Sequence, residues 1–242
     1  MAKPDYAGAI WRPAAEENWG SRPAGTATDC VVLHATAGSL SATLAWFRNP
    51  ASGVSAHYVV AKNGTVYQMV EETHLAHHAG ASQFQGRQNF NAFSIGIEMV
   101  NRNDGQDPYP PAQQAAMVNL VSYLAHKYSI QRQWIVTHAD ISTAGKTDPL
   151  GFPTQAFIAR VYEEVSRPME ETVRILAWDE AGINYYADAA FARYARAHNL
   201  GKPETNEFDF QHQGVSYRAQ GFSQKIIYCQ VGDWGNIQEL SW

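Results

Sequence analysis

Residues 29–34, DCVVLH, form a short apolar run that is rich in β-branched residues and ends on a histidine. Such a run predicts a buried β-strand with His34 at its carboxyl end. Similar patterns predict further strands at 57–60, 66–70, 93–100 and 134–137. Helical periodicity predicts helices at 39–47, 111–128 and 154–165. Strands that alternate with helices of ten or more residues indicate an α/β domain, so we expect a central mixed β-sheet flanked by α-helices.

Local signals support the ends of these elements. The pair Asn63-Gly64 lies between two of the strands and predicts a tight hairpin, because both residues readily adopt positive φ. Ser39 can cap the first helix, and Pro111 suits the first turn of the long helix. The predicted elements therefore begin or turn at residues that have a physical reason to do so.

The composition excludes several classes of protein. The chain has 242 residues, of which 45% are hydrophobic and 17% are charged, so it can bury a core and is too apolar for wholesale disorder. A formal net charge of −5 argues against a protein that coats nucleic acid or an anionic membrane. No stretch approaches the roughly 20 apolar residues that span a bilayer. We therefore expect no nucleic-acid partner, no membrane partner, and a monomer.

The cysteines and the N-terminus bear on the compartment. Cys30 and Cys229 lie almost at opposite ends of the chain and are too few for a cysteine zinc cage, so we expect free thiols. Residues 1–25 contain no basic patch followed by an apolar run, and so do not resemble a signal peptide. The protein would then act where it is made, leave by another route, or have lost a leader.

A change in composition near Arg167-Pro168 predicts a domain boundary. Residues 1–167 carry 12 Lys and Arg against 13 Asp and Glu, whereas residues 168–242 carry 6 against 10 and hold 12 of the 29 aromatic side chains. We therefore predict a first domain at 1–167 and a small aromatic-rich α+β module at 168–242. Within the module, patterns predict a helix at 185–200 and a hairpin at 214–228.

Three residues could together hold a metal ion. His34 and His138 each lie at the end of a predicted strand, and Asp148 follows in a loop. Two imidazoles and one carboxylate would fill three positions of a tetrahedral Zn²⁺ and leave the fourth for water. Because the two histidines are far apart in sequence, the spacing is equally compatible with histidines that are only hydrogen bonded at strand ends.

Two further residues have the chemistry that hydrolysis needs. Glu98 ends an otherwise apolar strand, where desolvation would raise its pKa into the range of a general base. Lys146 lies two residues before Asp148, so one loop would present both near the metal, where the cation could stabilise an oxyanion.

Seven segments, in this order, resemble the zinc-dependent N-acetylmuramoyl-L-alanine amidase family, whose fold is shared with peptidoglycan recognition proteins and phage amidase lysozymes. They are NWGSRP (18–23), VLHAT (32–36), VSAHYVV (54–60), HHAG (77–80), NAFSIGIE (91–98), THADIS (137–142) and GKTDP (145–149). The resemblance covers about 18–165. It departs from the family at LGFP (150–153), where members often have Gly-Pro, and at His77, where some have tryptophan.

The resemblance implies zinc-dependent hydrolysis of the amide between N-acetylmuramic acid and L-alanine in peptidoglycan. The family's metal ligands correspond to His34, His138 and Asp148, its general base to Glu98, its oxyanion-side lysine to Lys146, and an active-site tyrosine to Tyr58. Arg87 falls where the family approaches the stem peptide, so it would pair with a peptide carboxylate or remain a solvated surface residue. His78 would line the substrate groove or belong only to the loop.

Three functions are compatible with this resemblance. The first is a lytic amidase of endolysin or autolysin type, which acts on the cell wall after losing a leader or after release from the cytoplasm. The second is a cytoplasmic amidase that recycles anhydro-muropeptides, and the third is a peptidoglycan-binding protein without activity. Non-catalytic relatives typically lack a metal ligand, and this chain keeps all three, which favours an enzyme.

The module at 168–242 has two interpretations. Its aromatic side chains could stack on sugar rings and bind the cell wall, or they could form the module's own core.

Overall fold

The computed structural model describes residues 4–166, 175, 177–212 and 215–242. The chain divides into two units, Met1–Ser166 and Arg167–Trp242. Each unit has its own core, and the separate functions predicted for 1–167 and 168–242 stay predictions. Among the described residues, no helix combines the length and the apolar character needed to cross a membrane.

A six-stranded mixed sheet forms the centre of the first unit, with the order β1-β5-β4-β9-β3-β10. The first unit's strands are β1 (Ala9–Trp11), β2 (Trp19–Ser21), β3 (Cys30–Ala35), β4 (Tyr58–Val60), β5 (Val66–Gln68), β6 (His74–Ala76), β7 (Gln83–Phe84), β8 (Arg87–Gln88), β9 (Ser94–Met99) and β10 (Ile135–Thr137). Strands β4, β9, β3 and β10 run parallel, β5 pairs antiparallel with β4, and β1 pairs parallel with β5. The predicted mixed α/β fold is confirmed.

The helices of this unit are α1 (Leu40–Phe47), α2 (Pro111–Tyr128), α3 (His138–Ile141) and α4 (Thr154–Ser166). Single turns of 3₁₀-helix lie at Glu16–Asn18, Pro50–Ser52, Phe90–Ala92 and Arg132–Trp134. Helices α2 and α4 pack on one face of the central sheet through buried aliphatic side chains such as Leu120, Leu124 and Val161. The predicted bounds of α2 agree with the structure at both ends.

Strand alternation gives the two faces of the sheet different partners. On β3, Val31 and Leu33 enter the core beneath α2 and α4, whereas Cys30 and Val32 join a second cluster with Phe90. The second face is covered by loops and short helical turns instead of long helices. Polar side chains on that face can therefore reach a pocket without entering the main core.

A buried carboxylate joins the sheet to α2. Glu72 is fully buried and accepts hydrogen bonds from the Tyr58 hydroxyl, from Tyr128 Oη at 2.7 Å and from Lys127 Nζ at 2.8 Å. Tyr58 lies on β4, and the other two donors lie in the last turn of α2. Burying a carboxylate is costly unless it is paired, and here three donors surround it.

The second unit contains an antiparallel sheet and a helix, and its described residues 177–180 are also helical. Helix α5 (Ala190–Ala197) precedes strands β11 (Phe208–His212), β12 (Val215–Gly221), β13 (Ile226–Gln230) and β14 (Gln238–Leu240), which pair in that order. The predicted hairpin corresponds to β12 and β13. The predicted helix at 185–200 is wrong at its start, because residues 183–189 are coil and turn in which Arg196 binds the Tyr185 hydroxyl and the Ala187 carbonyl.

The aromatic side chains of this unit divide between the two faces of its sheet. One face packs with α5 in a core that includes Trp178, Phe191 and Phe222. The opposite face carries Phe210 of β11 and Tyr217 of β12, whose rings stack 5.3 Å apart.

Cys30 and Cys229 are buried free thiols, as expected from the sequence.

We expect Glu72→Ala to destabilise the protein by on the order of 3 kcal/mol, because it leaves a buried hydroxyl and an ammonium group without their acceptor. Tyr128→Phe removes one of the three donors and should cost only about 1 kcal/mol. Urea denaturation of both variants measures the two losses. Equal losses would show that the carboxylate does not hold the network together.

Candidate active site

A pocket of about 630 Å³ opens at the carboxyl ends of β3, β9 and β10. These strands are parallel, so their ends meet at one edge of the sheet, which is where α/β proteins gather ligands. The pocket wall includes His34, Glu98, His138, Lys146 and Asp148. The structure thus brings together five of the residues predicted from the sequence.

Register and alternation position the two strand residues. His34 of β3 pairs directly with Glu98 of β9, so both side chains leave the same face of the sheet. Their neighbours Leu33 and Ile97 point the other way, into the core beneath α2 and α4. The same strand pairing therefore builds the core and aims the two polar groups at the pocket.

A capping box places the second histidine. The Thr137 hydroxyl accepts from the backbone N–H of Asp140, and the Asp140 carboxylate accepts from the backbone N–H of Thr137 at 2.8 Å. This reciprocal pair ends β10 and starts α3 at His138. The loop carrying Asp148 is held against α3, since the Ala139 N–H donates to the Asp148 carbonyl at 2.9 Å.

Three side chains converge in a geometry suited to a metal ion. His34, His138 and Asp148 each offer a ligand atom, and these atoms all lie within 4.8 Å of one another. His138 Nδ1 lies 3.1 Å and His34 Nδ1 3.4 Å from the carboxylate of Asp148. All three residues are buried or nearly so. The three predicted residues therefore place their ligand atoms close enough together that they could hold one metal ion.

The protonation states of His34 and Asp148 suit metal binding. Burial lowers the pKa of His34 to about 4, so its imidazole is neutral near pH 7 and keeps a free lone pair. Burial opposes ionisation of Asp148, yet its close contacts with His138 and His34 hold its pKa well below the ordinary value. A neutral imidazole and an ionised carboxylate are the forms that coordinate cations.

Glu98 lies in the pocket wall and has a raised pKa. Burial, with a smaller contribution from the charge of Asp148, raises its pKa to about 8, although Lys146 acts in the opposite direction. Its oxygen Oε2 is buried and accepts no hydrogen bond from any residue that the structure describes. A carboxyl group with a pKa near neutrality can both take and return a proton.

Lys146 and His78 also line the pocket. Lys146 is exposed on the loop before Asp148, and its charge reaches both Glu98 and His34. His78 is partly buried and places Nδ1 3.0 Å from His34 Nε2. Of the two alternatives stated for His78, the structure supports a position in the pocket wall.

Tyr58 is not brought to this pocket, contrary to the expectation. It pairs with Ile97 on β9, and both side chains face the core beneath α2. Its hydroxyl donates to buried Glu72. Strand alternation explains this position, because a side chain in register with Ile97 projects from the face opposite to that of Glu98.

Arg87 is also placed elsewhere, so its expected role in substrate binding is not supported. Its guanidinium lies 3.7 Å from the ring centroid of Phe93 and 4.5 Å from that of Trp134. It also forms an ion pair with Asp29 at 2.8 Å. These contacts use the charge and the flat face of the guanidinium, and Arg87 does not line the pocket.

Trp46, which lines the pocket, and Ser94, which contacts His78, were not predicted from the sequence. His77, where some family members have tryptophan, also lines the pocket. Trp46 is 53% exposed on α1 and lies outside the apolar stripe through which α1 packs on the sheet. An exposed tryptophan beside a buried stripe was the available signal. For Ser94 no local signal existed, because its role depends on a loop 16 residues away.

Comparison with known proteins identifies the family. Residues 24–151 match the family model described as N-acetylmuramoyl-L-alanine amidase, so the chain belongs to this family, as the sequence motifs indicated. N-acetylmuramoyl-L-alanine amidase A of Achromobacter lyticus is 36% identical over 129 residues, 53% of this chain and 65% of that protein. The 1,6-anhydro-N-acetylmuramyl-L-alanine amidase AmpD of Haemophilus influenzae is 40% identical over 97 residues, 40% of this chain and 52% of that protein.

A solved structure agrees with this membership. The amidase AmiD of Escherichia coli, in complex with anhydro-N-acetylmuramic acid-L-Ala-D-gamma-Glu-L-Lys, is 32% identical with a TM-score of 0.52. The match covers 57% of this chain and 60% of that one. The chain spans between about half and two thirds of the length of these relatives.

The raised pKa of Glu98 predicts a pH-dependent stability in metal-free protein. The folded state holds this carboxyl protonated up to about pH 8, whereas its ordinary value is 4.5, so its contribution to stability is complete below 4.5 and is lost as pH rises to 8. Glu98→Gln stays neutral at every pH. In the presence of chelator it should therefore gain stability over the wild type as pH rises, by on the order of 5 kcal/mol near pH 8.5.

Melting temperatures of both proteins between pH 4.5 and 9 measure this difference. Glu163→Gln, on the exposed side of α4, is the control and should follow the wild type throughout. A stability difference that does not change with pH would contradict the raised pKa.

Proposed function

We propose that this protein is a zinc-dependent hydrolase of the amide bond between N-acetylmuramic acid and L-alanine in peptidoglycan. The observation that carries the proposal is the convergence of His34, His138 and Asp148 on one point, beside Glu98, in a chain of this family. The relatives named above are amidases of this bond or of its anhydro form.

The donor set fits Zn²⁺. Two imidazole nitrogens and one carboxylate oxygen make up a three-ligand catalytic zinc site. When bound, zinc supplies a Lewis acid that lowers the pKa of water to about 7 and polarises a carbonyl group. His34, His138 and Asp148 would hold it, and the buried, unpaired Oε2 of Glu98 lies in the wall of the same pocket.

The chain's own residues would manage the proton and the charge. Glu98 takes a proton from the attacking water and returns it to the amine nitrogen of L-alanine as the amide breaks. A pKa of about 8 lets one carboxyl group perform both transfers near neutrality. The Lys146 ammonium, on the exposed loop at the pocket edge, would stabilise the negative charge that develops on the carbonyl oxygen.

We further propose that the substrate is the cell wall itself, in the manner of an endolysin or autolysin, and that the enzyme acts as a monomer. The aromatic face of the second unit supports this choice over soluble fragments. The alternative is a recycling amidase for anhydro-muropeptides. Two relatives favour it, because AmpD is named as a 1,6-anhydro-N-acetylmuramyl-L-alanine amidase and AmiD is in complex with an anhydro-N-acetylmuramic acid peptide. The two substrates differ in size and solubility, which makes the alternatives separable.

Analysis of digestion products tests the activity. Wild-type protein should release stem peptides that begin with L-alanine and leave glycan strands intact, as measured by mass spectrometry. Glu98→Ala should keep zinc but lose roughly 10²–10⁴ in rate, the usual contribution of general acid–base catalysis. Asp148→Ala should lose zinc and activity together.

Glu163→Ala serves as the matched control and should digest as the wild type does. Full activity after exhaustive removal of metal would contradict the zinc requirement. Faster turnover of soluble 1,6-anhydro-muropeptides than of intact sacculi would favour the recycling role.

The second unit would hold the enzyme on glycan strands. The sheet face that does not pack with α5 forms a shallow pocket of about 470 Å³, lined by aromatic and aliphatic side chains and by His212. Phe208 and Phe210 are exposed there, although the core of this unit is built on the other face. Flat rings without nearby charge suit the apolar faces of sugar rings. The aromatic side chains of this face would bind sugar rings, whereas those of the other face form the core of the unit.

Replacing Phe210 and Tyr217 together with alanine should reduce the affinity for insoluble sacculi, measured by co-sedimentation, by roughly 30-fold, because two stacking surfaces of about 1 kcal/mol each are removed. Hydrolysis of small soluble muropeptides should not change. Tyr186→Ala, which removes an exposed tyrosine outside this pocket, is the control. Equal loss on both substrates, or self-association of the wild type that the double variant abolishes, would contradict glycan binding.

A further inference from the structure

A chain of hydrogen bonds leads from His34 away from the proposed metal site. His34 Nε2 lies 3.0 Å from His78 Nδ1, and His78 Nε2 lies 3.2 Å from the hydroxyl of Ser94. That hydroxyl lies 2.5 Å from the backbone carbonyl of Phe90. The chain thus joins a proposed metal ligand to a fixed group of the backbone through two side chains.

The backbone carbonyl determines the direction of every bond. The Phe90 oxygen can only accept, so the Ser94 hydroxyl donates its hydrogen there and presents a lone pair to His78. His78 Nε2 must therefore carry the proton that it donates to Ser94. A neutral imidazole has a single N–H, so His78 Nδ1 accepts, and His34 donates from Nε2.

This arrangement determines the state of Nδ1, the other ring nitrogen of His34. With its proton on Nε2, neutral His34 has a free lone pair on Nδ1, the atom that lies 3.4 Å from Asp148. That is the atom the metal site needs. In the opposite tautomer Nδ1 would carry a hydrogen, and the imidazole could not coordinate a cation from this side.

Residues near this chain of hydrogen bonds leave space for the His78 ring and hold its backbone in place. A Cβ atom at Gly96 would lie 2.4 Å from Cγ of His78, far inside contact distance, so only glycine admits the ring. Asn91 fixes the backbone of the histidine segment, since its Oδ1 accepts from the N–H groups of His78 and Ala79 at 3.0 and 2.7 Å. The ring is therefore held by its surroundings and not by His34 alone.

We propose that His78 is a positioning residue, which holds His34 in the tautomer with its proton on Nε2 and thereby strengthens the binding of Zn²⁺. This inference rests on the proposed metal site. Hydrogen-bond partners of metal-ligating histidines typically change metal affinity by 10- to 100-fold when they are removed. Ser94 acts one step further away, through His78.

The experiment measures the zinc dissociation constant of chelator-stripped protein by competition with a chromogenic chelator. His78→Phe keeps a ring but removes the acceptor, and should weaken zinc binding by roughly 10- to 100-fold. His78→Asn places an amide oxygen near the position of Nδ1 and should recover most of that affinity. Ser94→Ala should produce a smaller loss, and His126→Phe, an exposed histidine on α2, should produce none.

Nitrogen-15 NMR of the histidine rings in metal-free protein supplies a readout that does not depend on zinc. The wild type should show His34 protonated on Nε2, and His78→Phe should show a mixture of tautomers. Melting temperatures report whether each variant is folded, and Ser94→Ala keeps the test available if the phenylalanine variant is not.

The outcomes separate this proposal from the proposed function. A wild type that binds no zinc overturns the metal site, while the NMR result still decides the tautomer. Tight binding by the wild type and equally tight binding by His78→Phe overturn the positioning role. Equal weakening in His78→Phe and His78→Asn, with equal loss of melting temperature, would show that both variants act by disturbing the packing around His78, and would also overturn the positioning role.

Discussion

The parallel pairing of β3 with β9 is the constraint on which the rest of the structure depends. Its register sets His34 directly beside Glu98, and strand alternation sends both side chains to the face opposite α2 and α4. The same register directs Leu33 and Ile97 into the core. A slip by one residue would exchange the two sets and bury polar groups among aliphatic ones, at a cost of several kcal/mol. The apolar core therefore selects the geometry of the site, although no residue of the site belongs to it.

Elements with a strong local signal were predictable from the sequence. Helix α2 begins at the expected proline, and the turn at Asn63-Gly64 joins β4 to β5, with Gly64 at φ 86°. Strand β1 (AIW) was not predicted, because it lacks the run of β-branched residues that marks β4 and β10, which are equally short, and it exists through its pairing with β5. The helix of the second unit starts later than its sequence pattern suggested, since a tyrosine and an arginine hold the preceding segment in a turn. Tertiary contacts override local preference in both cases.

The chemistry of the site was more predictable than its outline. His34, His138, Asp148 and Glu98 could be proposed because each is a polar group at the end of a strand or in the loop that follows. Tyr58 lies in a matching motif, but the motif does not state which face of the strand its side chain leaves, and only pairing with β9 decides that. Arg87 lies on the two-residue strand β8 and His78 lies in a loop, and the contacts of both come from distant segments. Candidate metal ligands and acids can be recognised in the sequence, whereas the residues that contact them can be recognised only when they lie nearby in the sequence.

Strand β9 has a consequence for how this protein can change. Along one face it presents Ser94, Gly96 and Glu98, each restricted to a single chemistry: a hydroxyl that relays a bond, an absent side chain, and a carboxyl. Along the other face Ile95 and Ile97 need only be apolar and of suitable volume. Natural drift could exchange the aliphatic residues freely while the positions between them stay unchanged. The six residues of β9 therefore tolerate different kinds of substitution at alternate positions, according to the face from which each side chain projects.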